Sequence, residues 1–124
     1  MQPPQPTVVL AHTTDTFGRC AVEAGKNAFP VDHPPTQEGP GEHPGTIDHF
    51  LAGVASCGVL MLEYQAKLRE IPLRRLDVRI EGLRGDPGAR VPDRTLFDRV
   101  AMQFEFVGPT EDQAQVLVEH YQRH

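Results

Sequence analysis

Two thiols, Cys20 and Cys57, are the strongest nucleophiles in this 124-residue chain, and the chemistry it can do turns on the second. Cys57 lies inside Phe50–Leu62, FLAGVASCGVLML, a run with no charge and no proline. A cysteine attacks as its thiolate, so a cation or an array of donors has to hold it charged. Val54, Gly58, Leu60 and Met61 offer neither, so on its local sequence Cys57 reads as a small buried hydrophobe. Cys20 is the only other thiol that could close a disulfide with it, but it falls on the inward face of an alternating stretch and reads as core packing. His120 and His124 have the spacing of a helical metal pair; no third ligand accompanies them, and they read as surface residues. His33, His43 and His49 flank a Pro/Gly stretch and read as part of a solvated loop. Gly39-Pro40-Gly41 lacks the Lys-Ser/Thr of a phosphate loop, and Ser56 sits in mid-helix rather than on a strained turn. No metal and no cofactor is expected.

The elements that must position Cys57 follow from periodicity. The apolar run and the amphipathic residues after it predict one helix over Thr46–Leu68, with Thr46 as N-cap, Asp48 in the first turn, and Ile71-Pro72 as the stop. Its first half is apolar all round, so it should be buried on every side. Phe50–Leu62 is too short to cross a bilayer, which needs roughly 20 residues. Upstream, Thr7–Thr13, Arg19–Ala24 and Ala28–Asp32 read as strands, the last an edge strand because of Pro30, with a tight turn at Gly25-Lys26-Asn27. Asp32–Gly45 is too rich in Pro and Gly for helix or ladder and is a long loop. Downstream, Leu73–Leu83 points Leu76, Val78 and Ile80 inward and leaves Asp77, Arg79 and Glu81 as a solvated face. After a Pro/Gly loop over 84–94, Leu96–Val107 points Val100, Met102, Phe104 and Phe106 inward, and the two strands form an antiparallel hairpin. Thr110-Glu111-Asp112 opens a last helix with the stripe Ala114, Leu117, Val118 and Tyr121.

The order β-β-β-loop-α-β-β-α predicts an α+β domain over 7–124, a mainly antiparallel sheet packed on a long central helix, after a frayed segment over 1–6. One sheet covers one side of a helix. The second cover is expected from an identical subunit, a homodimer with Cys57 near its interface. Formal net charge is −5, and the Lys and Arg are scattered; Arg74, Arg75, Arg79 and Arg84 are interrupted by Asp77 and Glu81. That argues against nucleic acid and anionic membranes as partners. Two cysteines are few for a disulfide scaffold, and MQPPQPTVVLAHTT has neither the basic nor the apolar region of a secretory signal, so the expected location is the cytoplasm, with reduced thiols.

The segment Thr46–Cys57, TIDHFLAGVASC, resembles the PxELLLAALASC signature of the OsmC/Ohr family, the osmotically inducible and organic hydroperoxide resistance proteins. Ala66-Lys67, Ile71-Pro72-Leu73, a strand of the form LxVxxEG over Leu76–Gly82, and the "VDHP" of Val31–Pro34 extend the resemblance over about Arg19–His124. It implies an intertwined homodimer with sites at the interface. It implies that Cys57 is a peroxidatic thiol: the thiolate attacks a hydroperoxide, becomes a sulfenic acid, condenses with a second cysteine and is reset by an external dithiol. An arginine and a carboxylate would hold the thiolate, and the candidates are Arg19 and Asp48. The chain departs from the pattern at several points. The carboxylate position ten residues before the cysteine is Ile47, and Asp48 matches a second acidic position about 100° further round the helix. The family arginine sits just before the second strand; Arg19 is the only arginine in that region, and another register puts Thr16 at that position. The family's second cysteine follows the last helix in a Cys-Pro step, whereas this chain ends at Tyr121-Gln122-Arg123-His124, where that step would begin; either the sequence is cut short of it or no resolving cysteine stands there, and the closing C-terminal strand is likewise missing from the expected fold. Two rival readings follow: a catalytically silent OsmC-like dimer that binds an apolar small molecule, and a hot-dog-like thioesterase with Asp48 as its carboxylate, which three strands before the helix and two after fit less well.

Overall fold

The computed structural model describes residues 3–83 and 99–123. The expected loop over 84–94, the start of the second hairpin strand at Leu96, Arg84 and His124 lie outside the described residues. The chain divides into two units, residues up to Phe50 and residues from Leu51 onward. The first unit holds β1 (Val9–Thr13), β2 (Arg19–Ala24) and β3 (Asn27–Asp32), an antiparallel sheet in the order β1-β2-β3. The turn between β2 and β3 fixes their register. Gly25 takes φ 61° while Lys26 stays negative, the pattern of a type II′ hairpin turn. Ala24 then faces Asn27, and counting back along both strands sets Arg19 opposite Asp32.

Helix α1 spans Thr46–Leu68, the bounds that periodicity predicts, and runs from the first unit into the second. Its cap lies one residue earlier than expected: the first helical hydrogen bond is from the His49 N–H to the Gly45 carbonyl (3.1 Å), and the Asp48 carboxylate accepts the Gly45 N–H (3.1 Å). Gly45, not Thr46, is therefore the N-cap, and Asp48 supplies the back half of a capping box. The helix stops before Pro72 is reached. Glu70 turns left-handed (φ 55°), the Ile71 N–H reaches the Ala66 carbonyl (2.8 Å) and the Glu70 N–H the Lys67 carbonyl (3.2 Å). That is a Schellman closure, with Ile71 packed back on the core.

In the second unit β4 (Arg75–Leu83) pairs antiparallel with β5 (Arg99–Val107), and α2 spans Glu111–Arg123. The strands thus form two sheets, three-stranded and two-stranded, rather than one, in an α+β fold. Thr110 caps α2 reciprocally: its N–H donates to Gln113 Oε1 (2.9 Å) and its Oγ1 accepts the Gln113 N–H (3.2 Å). The core is Leu62, Ala66 and Leu117, with Ile71, Leu73, Leu76, Phe104, Phe106 and Tyr121 packed around it. Each fully buried leucine contributes roughly 1.5–3 kcal/mol of transfer free energy. Gly58, Leu62 and Ala66 recur every fourth residue and form the one fully buried line of α1. A Cβ on Gly58 would touch Tyr121 and Met102, both at 3.4 Å, so the helix lies close to its cover there. The strand faces follow the alternation, with Leu76, Val78 and Ile80 half-buried, Asp77, Arg79 and Glu81 exposed; Val100, expected inward, is exposed.

Within this chain α1 is covered on one side only: Phe50 in its first half is 57% exposed, and Leu60 and Tyr64 further along are 62% and 60% exposed. The stripe that the described residues cover is one turn-to-turn line, because the hairpin and α2 lie against a single face. Cys57 is accordingly exposed, not a buried hydrophobe.

Candidate active site

In the first unit the side chains converge on Asp32. It is 1% exposed, and its carboxylate accepts four hydrogen bonds: from Arg19 Nε (2.8 Å) and Nη2 (3.0 Å), and from the backbone N–H groups of Glu42 (3.0 Å) and His43 (3.1 Å). An ionised carboxyl is affordable in a buried position only when its lone pairs are filled in this way. The fork of Arg19 holds the Asp32 carboxyl at about 2, with the two loop N–H groups adding to the effect against the opposing cost of burial. In return the paired carboxylate raises Arg19 above its ordinary value. Glu42 stands 3.6 Å from Arg19 Nη2 at the exposed edge of the pair.

The Pro/Gly loop after Asp32 is solvent-exposed, as its composition predicts, with His33 and His43 both exposed, but it is anchored. It makes a 3₁₀ turn over Pro35–Gln37, and Asp32 fastens its far end through Glu42 and His43. The His33 N–H donates to the Gly18 carbonyl (2.8 Å) and its carbonyl accepts the Gly41 N–H (3.1 Å). Gly39 runs so close to His33 that any Cβ there would collide with the His33 backbone. Between this loop and the start of α1 lies an open cleft of about 450 Å³, with His33, Pro35, His43, Thr46 and Asp48 among its walls. Beside it a shallower groove of about 220 Å³ is lined by Arg19, Cys20, Val31, His33 and Thr46. Cys20 is half-buried in that groove, a correction to its expected place in the core. His49 stacks on Phe29, ring centroids 5.0 Å apart.

The candidate residues are thus disposed as follows. Arg19 is paired with Asp32 and opens on the groove of Cys20. Asp48 caps α1 and borders the larger cleft. Cys57 projects from the exposed face of α1. Nine residues at about 100° each place Asp48 and Cys57 on roughly opposite sides of the helix, about 14 Å apart along its axis. Phe50 and Tyr64, seven residues either way from Cys57, share its face, with Leu60 and Met61 alongside, so the thiol sits inside a mainly exposed apolar strip. Asp32 was missed by sequence reasoning. The signal that finds it is the register of the Gly25 turn, which makes it the cross-strand partner of Arg19. His120 lies on α2, and among the described residues no three metal-ligating side chains come together.

No protein-family model matches the sequence, and no curated protein matches it at a significant level. Solved structures do match. An OsmC-like protein from Mycoplasma pneumoniae superposes with a TM-score of 0.80 at 13% identity, over 97% of this chain and 82% of that one. The chain has the OsmC-like fold. An OsmC-like protein of unknown function from Vibrio cholerae gives a TM-score of 0.70 at 14% identity, over 96% and 86% of the two chains. An organic hydroperoxide resistance protein, OsmC, from Legionella pneumophila gives 0.64 at 21% identity, over 95% and 82%. The resemblance read from the helix motif thus extends to the architecture. The same fold accounts for α1, which by length and apolar composition alone could cross a membrane: here it packs Gly58, Leu62 and Ala66 inside a folded domain.

Proposed function

We propose that this chain is an OsmC/Ohr-type thiol peroxidase that reduces organic hydroperoxides, with Cys57 as the peroxidatic thiol. The observation that carries the reading is the exposure of Cys57 in the middle of an apolar strip on the long helix of an OsmC-like fold. An apolar surround suits an organic hydroperoxide better than hydrogen peroxide. The Cys57 thiolate attacks the terminal oxygen of the hydroperoxide. The O–O bond breaks, an S–O bond forms, and the alkoxide leaves with the electron pair and takes a proton from solvent to become the alcohol. Sulfur is oxidised by two electrons to the sulfenic acid and the peroxide is reduced. One thiol of an external dithiol then condenses with the sulfenic acid, releasing water, and its second thiol displaces Cys57 as the thiolate. Arg19 serves this site as the cation that stabilises the thiolate, and Asp48 as its carboxylate. The exposed strip of α1 is covered by a second copy of the chain, and the homodimer works in the reducing cytoplasm.

A second reading has an observation in its favour. Arg19 is committed to Asp32, and Asp48 to the Gly45 N–H on the helix side away from Cys57, so the site would be a catalytically silent one that binds an apolar small molecule. The thioesterase reading finds no support, because its carboxylate would be the same capped Asp48. One assay separates the first two. Consumption of cumene hydroperoxide with a dithiol is expected to be lost in Cys57→Ser. Consumption unchanged in that variant contradicts the peroxidase, and none in either protein favours the silent binder.

A further inference from the structure

Two glycines lie inside α1, and packing accounts for one of them. A Cβ on Gly58 would meet Tyr121 and Met102 at 3.4 Å, so that position is kept small by its cover. Gly53 has no such reason. Among the described residues no atom lies within 4 Å of where its Cβ would be, and its backbone is ordinary helix without a positive φ. A glycine in mid-helix is less stable than an alanine, so the fold of this chain would gain from a side chain there. Gly53 stands four residues before Cys57, and both belong to the second unit. Residues four apart share a helix face, with Cβ atoms about 5–6 Å apart. Helical side chains lean toward the N-terminus and lie over the turn before their own Cα. The thiol of Cys57 therefore leans over Gly53, as Met61 leans over Cys57. Behind the thiol stand exposed Leu60 and half-buried Met61; in front of it, beside half-buried Val54, is bare backbone.

We propose that Gly53 is a specificity-determining residue for the peroxidase reaction: the notch it leaves in α1 admits the organic group of a bulky hydroperoxide to the Cys57 thiol. This rests on the peroxidase reading above, and on no residue outside α1. In the attack the departing oxygen stands in line beyond the attacked one, on the side away from sulfur, so its organic group needs room in front of the thiol. The alkoxide leaves over Gly53 with the electron pair of the O–O bond and takes its proton from solvent, while the attacked oxygen stays on sulfur. Hydrogen peroxide, whose leaving group is hydroxide, needs little of that room. A side chain at position 53 would close the notch to the larger peroxide first.

The test measures single-turnover loss of the Cys57 thiol in reduced Cys20→Ser protein, with cumene hydroperoxide and with hydrogen peroxide. Gly53→Leu should slow the reaction with cumene hydroperoxide by about tenfold, the low end of what one methylene decides in an apolar site, and leave that with hydrogen peroxide nearly unchanged. Ala52→Leu adds the same bulk at an exposed position about 100° round the helix and should slow neither. Gly53→Ala should raise the thermal midpoint and lower the preference for cumene hydroperoxide by a smaller factor. It decides the matter if Gly53→Leu fails to fold by circular dichroism, and a preference it leaves unchanged then overturns the proposal. Equal slowing of both peroxides by Gly53→Leu overturns the specificity role, since the thiol itself would then be covered; so does slowing of neither. A lost preference that comes with a halved mass in sedimentation overturns it too, because the glycine would then serve the approach of a second copy. These outcomes leave the peroxidase reading standing. No oxidation of Cys57 by either peroxide, with Gly53 in place, contradicts that reading itself, and the inference falls with it.

Discussion

The carboxylate of Asp32 and the strip around Cys57 stand in opposite physical situations. Asp32 is a charge taken out of water, and both of its oxygens are hydrogen-bonded from within the chain, Oδ1 by Arg19 and Oδ2 by Arg19 and two loop N–H groups. The strip on α1 is apolar surface left in water, with Leu60 and Tyr64 about three-fifths exposed while the opposite line of Gly58, Leu62 and Ala66 is fully packed. One region is complete in a single chain; the other is not. An exposed apolar stripe on an otherwise packed helix marks an interaction site rather than a defect of folding. The difference teaches that packing within the chain comes from one side of α1 and from the Asp32 clamp, while the side left open is where the proposed chemistry and assembly would fall.

The contrast between the two sides of α1 can be broken most severely at Leu62. Leu62→Ala removes a side chain with no exposed surface and should cost about 2–5 kcal/mol in urea unfolding, where a surface truncation costs under about 0.5 kcal/mol. Tyr64→Glu works on the open side: it should leave the fold intact by circular dichroism but halve the mass seen by sedimentation, and an unchanged mass would remove the second copy from the strip.

The clamp answers to acid. The Asp32 carboxyl is held at about 2, below an unfolded value of about 4, so its contribution is fully present above pH 4 and is lost as pH falls toward 2. Thermal midpoints should therefore drop between pH 4 and 2 in the wild type, and Asp32→Asn should start lower at neutral pH and drop less across that window. The smallest effect is expected at the end of α1, where Glu70 is left-handed without being glycine. Glu70→Gly should stabilise by about 0.5–1 kcal/mol, the relief of strain exceeding the extra freedom of the unfolded glycine. A loss of stability there would show that the Schellman closure depends on the Glu70 side chain.

Much of this was legible beforehand, for local reasons. α1 has the bounds that its apolar run predicts, β2 has the bounds of its alternation, and α2 opens after Thr110, where Thr110-Glu111-Asp112 predicts it. What escaped was set by distance along the chain or by the absence of a partner. Arg19 and Asp32 meet only once the turn register is counted through, and Pro30 draws attention to the edge of β3 instead. The Pro/Gly loop reads as solvated and is exposed, but nothing in its composition shows that two of its N–H groups end on Asp32. Cys57 reads as buried because hydrophobicity says that a surface is to be covered but not by which chain. Cys20 falls on the apolar face of an alternating sequence and so looks like core, yet it is half-buried like Arg19 and Ala21 beside it and lines a groove.

The central claim is that Cys57 is a peroxide-reducing thiol. It is tested most directly by mixing reduced Cys20→Ser protein with one equivalent of cumene hydroperoxide and measuring the intact mass, with a sulfenic acid-specific trap to locate the change. The account predicts the gain of one oxygen on Cys57, trapped there and reversed by a dithiol. An unchanged mass with the hydroperoxide still present would contradict it.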